Sequence, residues 1–341
     1  MPARRTLAII ASVYLLSVLT VGWSSPTRAE VSELQIAKQY GISYLPLMLM
    51  EADKLVEKHA KSAGLPDIKV SWSTFASGST MNDAILSGSL HFASGGVGPL
   101  ATIWARSKGT IDVKCVTAMN VMPLYLTTRN PNVKSIKDFT EKDKIALPAV
   151  KVSIQAVTLQ MAAEKEFGPG NQGKLDAFTV AMSHPDGQLA LLSGAGEITG
   201  HFSSPPFQYQ QLKQPGIRRV LNSYDVLGGP ATFNVVWTTQ KFRQENPKTY
   251  DAFLAALAEA IKAISADKRA TAARYLQIAN DKKSSVDDIA AMLNDPEIEF
   301  TMTPKNIMKY ADFMHKTGAI KQKPESWKDL CFDNLHSLPG S

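Results

Sequence analysis

From Glu33 to Thr238 the chain alternates short apolar runs of strand length with helix-length segments, and short connections join them. This alternation restricts the fold most, because neighbouring parallel strands need a crossover between them and helices supply it. Glu33–Ala37, Ile68–Phe75, Leu90–Ala93 and Val113–Met119 read as strands. Helices are expected from Pro46 to about Gly64, from Ser77-Gly78-Ser79-Thr80 to near Gly88, and up to Arg106. Proline in a first turn and glycine just past an end are the signals that place the first of them. A second series follows Leu124–Thr128: strands at Lys144–Pro148, Phe178–Met182, Ile198–Phe202 and Arg218–Leu221, with a helix from Ser153 to about Phe167. The pattern predicts two α/β units with largely parallel sheets, and Phe233–Thr238 is a strand that crosses back between them. Beyond it the chain is helical. Asn246-Pro247 opens a helix whose Tyr250, Phe253, Leu254, Leu257, Ile261 and Ile264 form one apolar stripe, and Ser285 and Thr303-Pro304 open two more.

Residues 1–29 stand outside this pattern. Arg4 and Arg5 precede an uncharged run from Leu7 to Val21, and Thr27-Arg28-Ala29 places small residues ahead of Glu30. Such an arrangement predicts a secretory signal peptide cut before Glu30; the run is short of the roughly 20 residues a membrane span needs. The segment carries Arg4, Arg5 and Arg28 and no acidic residue, so its removal lowers the formal charge from +6 to +3. The remaining basic residues are scattered, which excludes a nucleic-acid patch. Neither Cys115 nor Cys331 adjoins the cut, so a lipid anchor there is excluded. An exported chain can pair two cysteines, and a buried thiol at Cys115 is the other reading.

Several short motifs then occur in a telling order. Gly41 with Pro46, Phe75-Ala76-Ser77-Gly78-Ser79, Leu86-Ser87-Gly88-Ser89-Leu90 and Gly95-Gly96-Val97-Gly98-Pro99 follow one another. Ile136-Lys137-Asp138-Phe139 with Lys144–Pro148, and Ser203-Ser204-Pro205-Pro206, continue the series. In this order, over about residues 33–265, the chain resembles the periplasmic substrate-binding proteins of ABC transporters, in the nitrate, sulfonate and taurine-binding family. The resemblance implies a two-lobed α/β periplasmic binding protein fold of type II, with two hinge crossings and a ligand cleft between the lobes. It implies a first lobe of residues 30–125 and 235–341 that carries the C-terminal helices, and a second lobe of 126–234. The expected function is capture of a small anionic organic solute by lobe closure. A permease in the inner membrane is the expected partner; the expected state is a periplasmic monomer without cofactor, metal or catalytic residues.

Strand-end loops and helix starts offer unpaired N–H groups and the positive end of the helix dipole, which suit an anion without a cationic side chain. The candidate ligand residues are Tyr44, Ser77, Gly78, Ser79, Thr80, Gly95, Gly96, Ser153, Ser203 and Ser204. A serine at a helix start also serves as an N-cap, the Gly95–Gly98 run also suits a tight strand-to-helix turn, and Tyr44 also suits packing. Where the family often has Lys-Gly-Ser, this chain reads Lys151-Val152-Ser153. The added side chain leaves a larger or partly apolar ligand, or a shifted pose, open.

Other chemistries find less support. Gly194–Gly200 has glycines before a strand rather than between a strand and a helix, so it fails as a dinucleotide loop. His184 and Asp186 read as a solvated Pro-Gly turn, and His201 as a pocket wall. There is no His-Glu-x-x-His, Gly-x-Ser-x-Gly or Cys-x-x-Cys sequence. Two rivals remain. A binder of the thiamine-pyrimidine type shares the architecture but commonly carries a cysteine-rich stretch in its first lobe, where this chain has only Cys115. An exported enzyme on the same scaffold would need an acid–base pair in the cleft.

Overall fold

The computed structural model describes residues 29–194 and 196–341. The first strands and helices follow the expected alternation: β1 (Glu33–Lys38), α1 (Leu45–Ala52), α2 (Leu55–Ser62), β2 (Lys69–Thr74), α3 (Gly78–Leu86), β3 (Ala93–Gly96), α4 (Val97–Ser107) and β4 (Val113–Ala118). A crossing segment holds β5 (Asn120–Val121) and leads into β6 (Tyr125–Thr128). The next unit has β7 (Lys144–Leu147), α5 (Ile154–Phe167), β8 (Thr179–Ala181), α6 (His184–Ser193), β9 (Ile198–Ser203), α7 (Phe207–Leu212), β10 (Arg218–Asn222) and α8 (Ser223–Leu227). β11 (Asn234–Thr239) returns, followed by α9 (Gln240–Glu245), α10 (Pro247–Ala266), α11 (Lys268–Ala279), α12 (Val286–Asn294), β12 (Glu299–Phe300), α13 (Ile307–Lys316) and α14 (Trp327–Leu330).

Two sheets of matching topology result. In the first, β2-β1 joins β3-β11-β4 through a parallel bridge between Ile36 and Phe92. In the second the order is β8-β7-β9-β6-β10. Each sheet has three parallel strands at one side. The strand arriving from the other lobe, β11 in the first and β6 in the second, runs antiparallel to both of its neighbours. The sheets are therefore mixed rather than largely parallel, because those two strands come from the crossings and not from βα repeats.

The crossings themselves are stitched. Val121 bridges Thr232, and β12 pairs with β5 as a third strand at the hinge. The C-terminal helices reach both lobes: Gln210 of α7 donates to Asp281 at 3.0 Å and Ser284 at 2.8 Å, Tyr209 donates to Asp295 at 3.1 Å, and Lys316 of α13 pairs with Glu164 of α5 at 2.7 Å.

Local departures have local causes. The helix expected from Pro46 to Gly64 breaks at Lys54, whose φ of 50° is left-handed, and α2 then turns to pack along α10. The strand expected at Leu90–Ala93 lies later, at Ala93–Gly96, because its glycines pair with β11. Pro304 stops short of a helix; α13 starts at Ile307 after a left-handed Asn306. Cys115 and Cys331 are both buried free thiols, and their backbones form an isolated parallel β-bridge.

Residues 1–28 of the expected signal peptide lie outside the described residues, but Glu30 belongs to the fold. Its carboxylate accepts hydrogen bonds from the Lys248 and Thr249 N–H groups at 2.9 and 2.7 Å and from the Thr249 hydroxyl, at the positive start of α10. Among the described residues no helix is long and apolar enough to cross a membrane.

Candidate functional site

In open α/β sheets, ligands sit beyond the carboxyl ends of parallel strands. Here the ends of β1, β3, β7 and β8 from both sheets meet in one inner cavity lined by Gln39, Tyr44, Gly78, Gly96, Pro99, Pro148, Ser153, Ile154, Gln155, His184 and Phe233. Four helices begin at it. Gly78 and His184 are the first residues of α3 and α6, Gly96 is the N-cap of α4, and Ser153 is the N-cap of α5. Among the described residues no charged side chain lines the cavity. Burial alone holds the His184 imidazole neutral, with its pKa down at about 3, and pushes the Tyr44 phenol up.

The lobes touch across this cavity. A Cβ on Gly96 would lie 2.5 Å from the Ile154 side chain, and one on Gly98 would lie 2.6 Å from the Val152 carbonyl oxygen. The Ile42 N–H donates to the Pro205 carbonyl at 3.3 Å, and a Cβ on Gly41 would meet that same oxygen at 2.8 Å. The lobes are in contact here, and the inner cavity measures about 10 Å³, room for roughly one water. Outside it, and sharing Gln39, lies a chamber of about 490 Å³ between Tyr40, Gly41 and Thr74 on one side and Gln188, Phe207 and Gln210 on the other. The end of α11 and the following Asp281, Lys282 and Lys283 complete its wall.

Of the residues expected from sequence, Tyr44, Gly78, Gly96 and Ser153 line the inner cavity. Gly95 packs instead against Gln39 and Trp237, where a Cβ would come within 3.0 and 3.2 Å. Ser77 and Thr80 use their hydroxyls on the α3 cap, the Thr80 N–H reaching Ser77 Oγ at 3.4 Å and the Thr80 hydroxyl donating to the Ser77 carbonyl at 2.8 Å. Ser79 follows lining residue Gly78, and Ser203 and Ser204 precede Pro206 of the outer chamber; all three hydroxyls are buried without a protein partner. The family-departing segment is also placed: Lys151 has a left-handed φ of 67°, and Val152 presents its carbonyl to α4.

Sequence reasoning missed Gln39, Gln155, His184 and Phe233. Gln39 was findable, being the first residue past β1. His184 is not in a solvated turn. Ser183 caps α6, accepting from the Asp186 N–H at 3.3 Å, and Pro185 lies in the first turn, so His184 is buried under the helix start.

These placements distinguish capping hydroxyls from unpartnered ones, and apo stability reads the difference. Ser153 Oγ accepts the Ala156 N–H at 3.2 Å, so Ser153→Ala and Ser77→Ala each cost about 1 kcal/mol of apo stability. Ser79→Ala removes no protein hydrogen bond and stays within about 0.5 kcal/mol of wild type. Denaturant midpoints of the three apo proteins check this ordering, and an equal loss at Ser79 would contradict it.

A model of the NMT1-like family matches residues 27–280. Comparison with curated proteins finds no match. Among solved structures, the alkanesulfonate-binding protein SsuA from Xanthomonas axonopodis pv. citri, bound to MOPS, superposes with a TM-score of 0.66 at 17% identity, covering 86% of this chain and 96% of that one. The periplasmic aliphatic sulphonate binding protein SsuA from Escherichia coli gives 0.62 at 19%, covering 89% and 93%. The periplasmic nitrate-binding protein NrtA from Synechocystis PCC 6803 gives 0.67 at 15%, covering 90% and 88%. At these identities the structures share a fold, the two-lobed periplasmic binding protein fold with its cleft between the lobes. The family match spans most of the sequence, and the chain belongs to the NMT1-like family.

Proposed function

We propose that this chain is the solute-binding component of an ABC importer, which captures a small anionic organic solute by closing two lobes over it. The observation that carries the reading is the meeting of four helix N-termini at a cavity without a charged side chain. Each start contributes backbone N–H groups and roughly half a positive charge, which suits an anion held by neutral donors. Tyr44, Gly78, Gly96 and Ser153 are the proposed contacts in the inner cavity. Ser79, Ser203 and Ser204 are proposed to join them through their free hydroxyls, and Ser77, Thr80 and Gly95 to shape the same turns. The outer chamber, with Met48 and Phe207 in its wall, has room for an organic tail. That the similar structures are named for sulfonate and nitrate binding supports the same ligand class.

The lobes are proposed to comprise residues 30–125 with 235–341, and 126–234. The protein is proposed to act in the periplasm as a monomer once residues 1–29 are removed, and to deliver its solute to an inner-membrane permease. Binding is favoured over catalysis by the state of the inner cavity's titratable side chains, Tyr44 and His184. Both are neutral at pH 7, and neither is tuned towards it as a general base would be.

Thermal-shift measurements with methanesulfonate, taurine and nitrate, followed by calorimetry, test the reading. At least one anion is expected to bind saturably and to come back chemically unchanged. Because a ligand favours closure only by its differential affinity for the closed state, scattering is expected to show a smaller radius of gyration when it is saturating. Chemical turnover of the ligand, or tight binding with an unchanged radius, would overturn the reading.

A further inference from the structure

Gln155, at the inner cavity, is the mouth of a buried hydrogen-bond chain that runs through the second lobe. Gln155 Nε2 meets His184 Nε2 at 3.2 Å, His184 Nδ1 meets His201 Nε2 at 3.1 Å, and Gln211 Nε2 meets His201 Nδ1 at 2.7 Å. Thr127 closes the far end, its hydroxyl donating to Gln211 Oε1 at 2.7 Å. All five side chains belong to buried residues. Burial keeps both imidazoles neutral, so each has one N–H and one bare nitrogen.

The direction of the chain is set at its sealed end. The alternative acceptor for the Thr127 hydroxyl, the His201 carbonyl, is 3.3 Å away, outside the normal O–H···O range, so Gln211 Oε1 takes that hydrogen. Gln211 therefore turns its NH2 to His201 Nδ1. His201 must then carry its proton on Nε2 and donate to His184 Nδ1. His184 in turn carries its proton on Nε2 and donates towards Gln155. An amide nitrogen there would put two N–H groups face to face. The two ends of an amide have nearly the same shape, so Gln155 offers its oxygen to His184 and its NH2 to the cavity.

We infer that Gln155 is a ligand donor whose polarity is imposed from the far side of the lobe, with His184, His201 and Gln211 as positioning residues. This inference rests on the anion-binding reading of the same cavity and adds a specificity element to it: an acceptor group on the ligand is matched and a donor group is refused.

The imidazole tautomers of the ¹⁵N-labelled protein at neutral pH, read from long-range ¹H–¹⁵N correlations, test the relay without any ligand. Both His184 and His201 are expected as the Nε2–H form, and an Nδ1–H form at either overturns the inference. In Gln211→Glu the carboxylate can only accept, so both histidines are expected to switch to Nδ1–H; retention of Nε2–H in that variant overturns the role of Gln211. Titration with methanesulfonate is expected to be at least tenfold weaker for Gln155→Leu than for wild type, and equal affinity overturns the donor role. If no anion binds the wild type, the transport reading and the donor role fall together. The tautomers still decide the relay, so the two failures remain distinct.

Discussion

Gly98→Ala is expected to stabilise the apo protein while weakening ligand binding about 5- to 150-fold. Gly98 lies in the first turn of α4, and alanine in place of glycine within a helix gains up to about 1 kcal/mol. When the lobes are shut, however, the new Cβ would sit 2.6 Å from the Val152 carbonyl oxygen of the opposite lobe. That neighbour is backbone, held at the start of α5, and cannot swing aside as a side-chain tip could. Overpacking of this kind costs about 1–3 kcal/mol, here only in the closed state, which gives the stated range in affinity. Gly96→Ala meets Ile154 Cγ2 at 2.5 Å and Ile154 Cβ at 2.6 Å. That Cβ is fixed by the α5 backbone and no rotamer change moves it, so a loss in the same range is expected. Apo melting curves beside calorimetric affinities check the opposite signs. A Gly98→Ala protein with unchanged affinity would show that the lobes do not meet there when ligand is bound.

Phe92→Ala is expected to cost about 3–5 kcal/mol of stability, the range for a fully buried aromatic. Phe92 is fully buried and stacks on Phe253 of α10 with ring centroids 4.1 Å apart. Phe242 meets its edge at 5.1 Å. The same residue bonds the two halves of the first sheet, donating to the Gln35 carbonyl at 3.1 Å and accepting from the Ala37 N–H at 2.9 Å. A truncated side chain therefore opens a cavity at the seam between sheet and helix. At an unfolding entropy of about 2.1 cal/mol/K per residue, a chain of this length shifts by about 1.5 °C per kcal/mol, so a fall in melting temperature of roughly 5–8 °C is expected by calorimetry. A fall under about 3 °C would contradict the packing described.

Most of what governs the fold is local and could be read directly. Ser153 before an apolar helix, Asn246-Pro247 before the stripe of α10, and the run Lys144–Leu147 carry their signals within a few residues. The antiparallel insertion of β6 and β11 could not be read, since it depends on partners far away in sequence. His184 was misread for a physical reason: Pro185, Asp186 and Gly187 suit a turn as well as a first helical turn. Gly187 sits inside α6 because His201 Nε2 lies 2.9 Å from where its Cβ would be, a requirement set by a strand fourteen residues on. Gln39, Gln155 and Phe233 are unremarkable as residue types, and only the convergence of strand ends from both lobes gathers them.

The position of β11 between β3 and β4 also dictates an order of assembly. As the chain emerges during synthesis, β3 and β4 appear early and have no middle strand to join them until Thr239 follows. The whole second lobe is made in that interval, and its own sheet can close as soon as β10 arrives. The lobe begun first is thus finished last, through contacts of long sequence separation that slow folding. A chain truncated before Asn234 should leave the first lobe loose and the second protected from proteolysis.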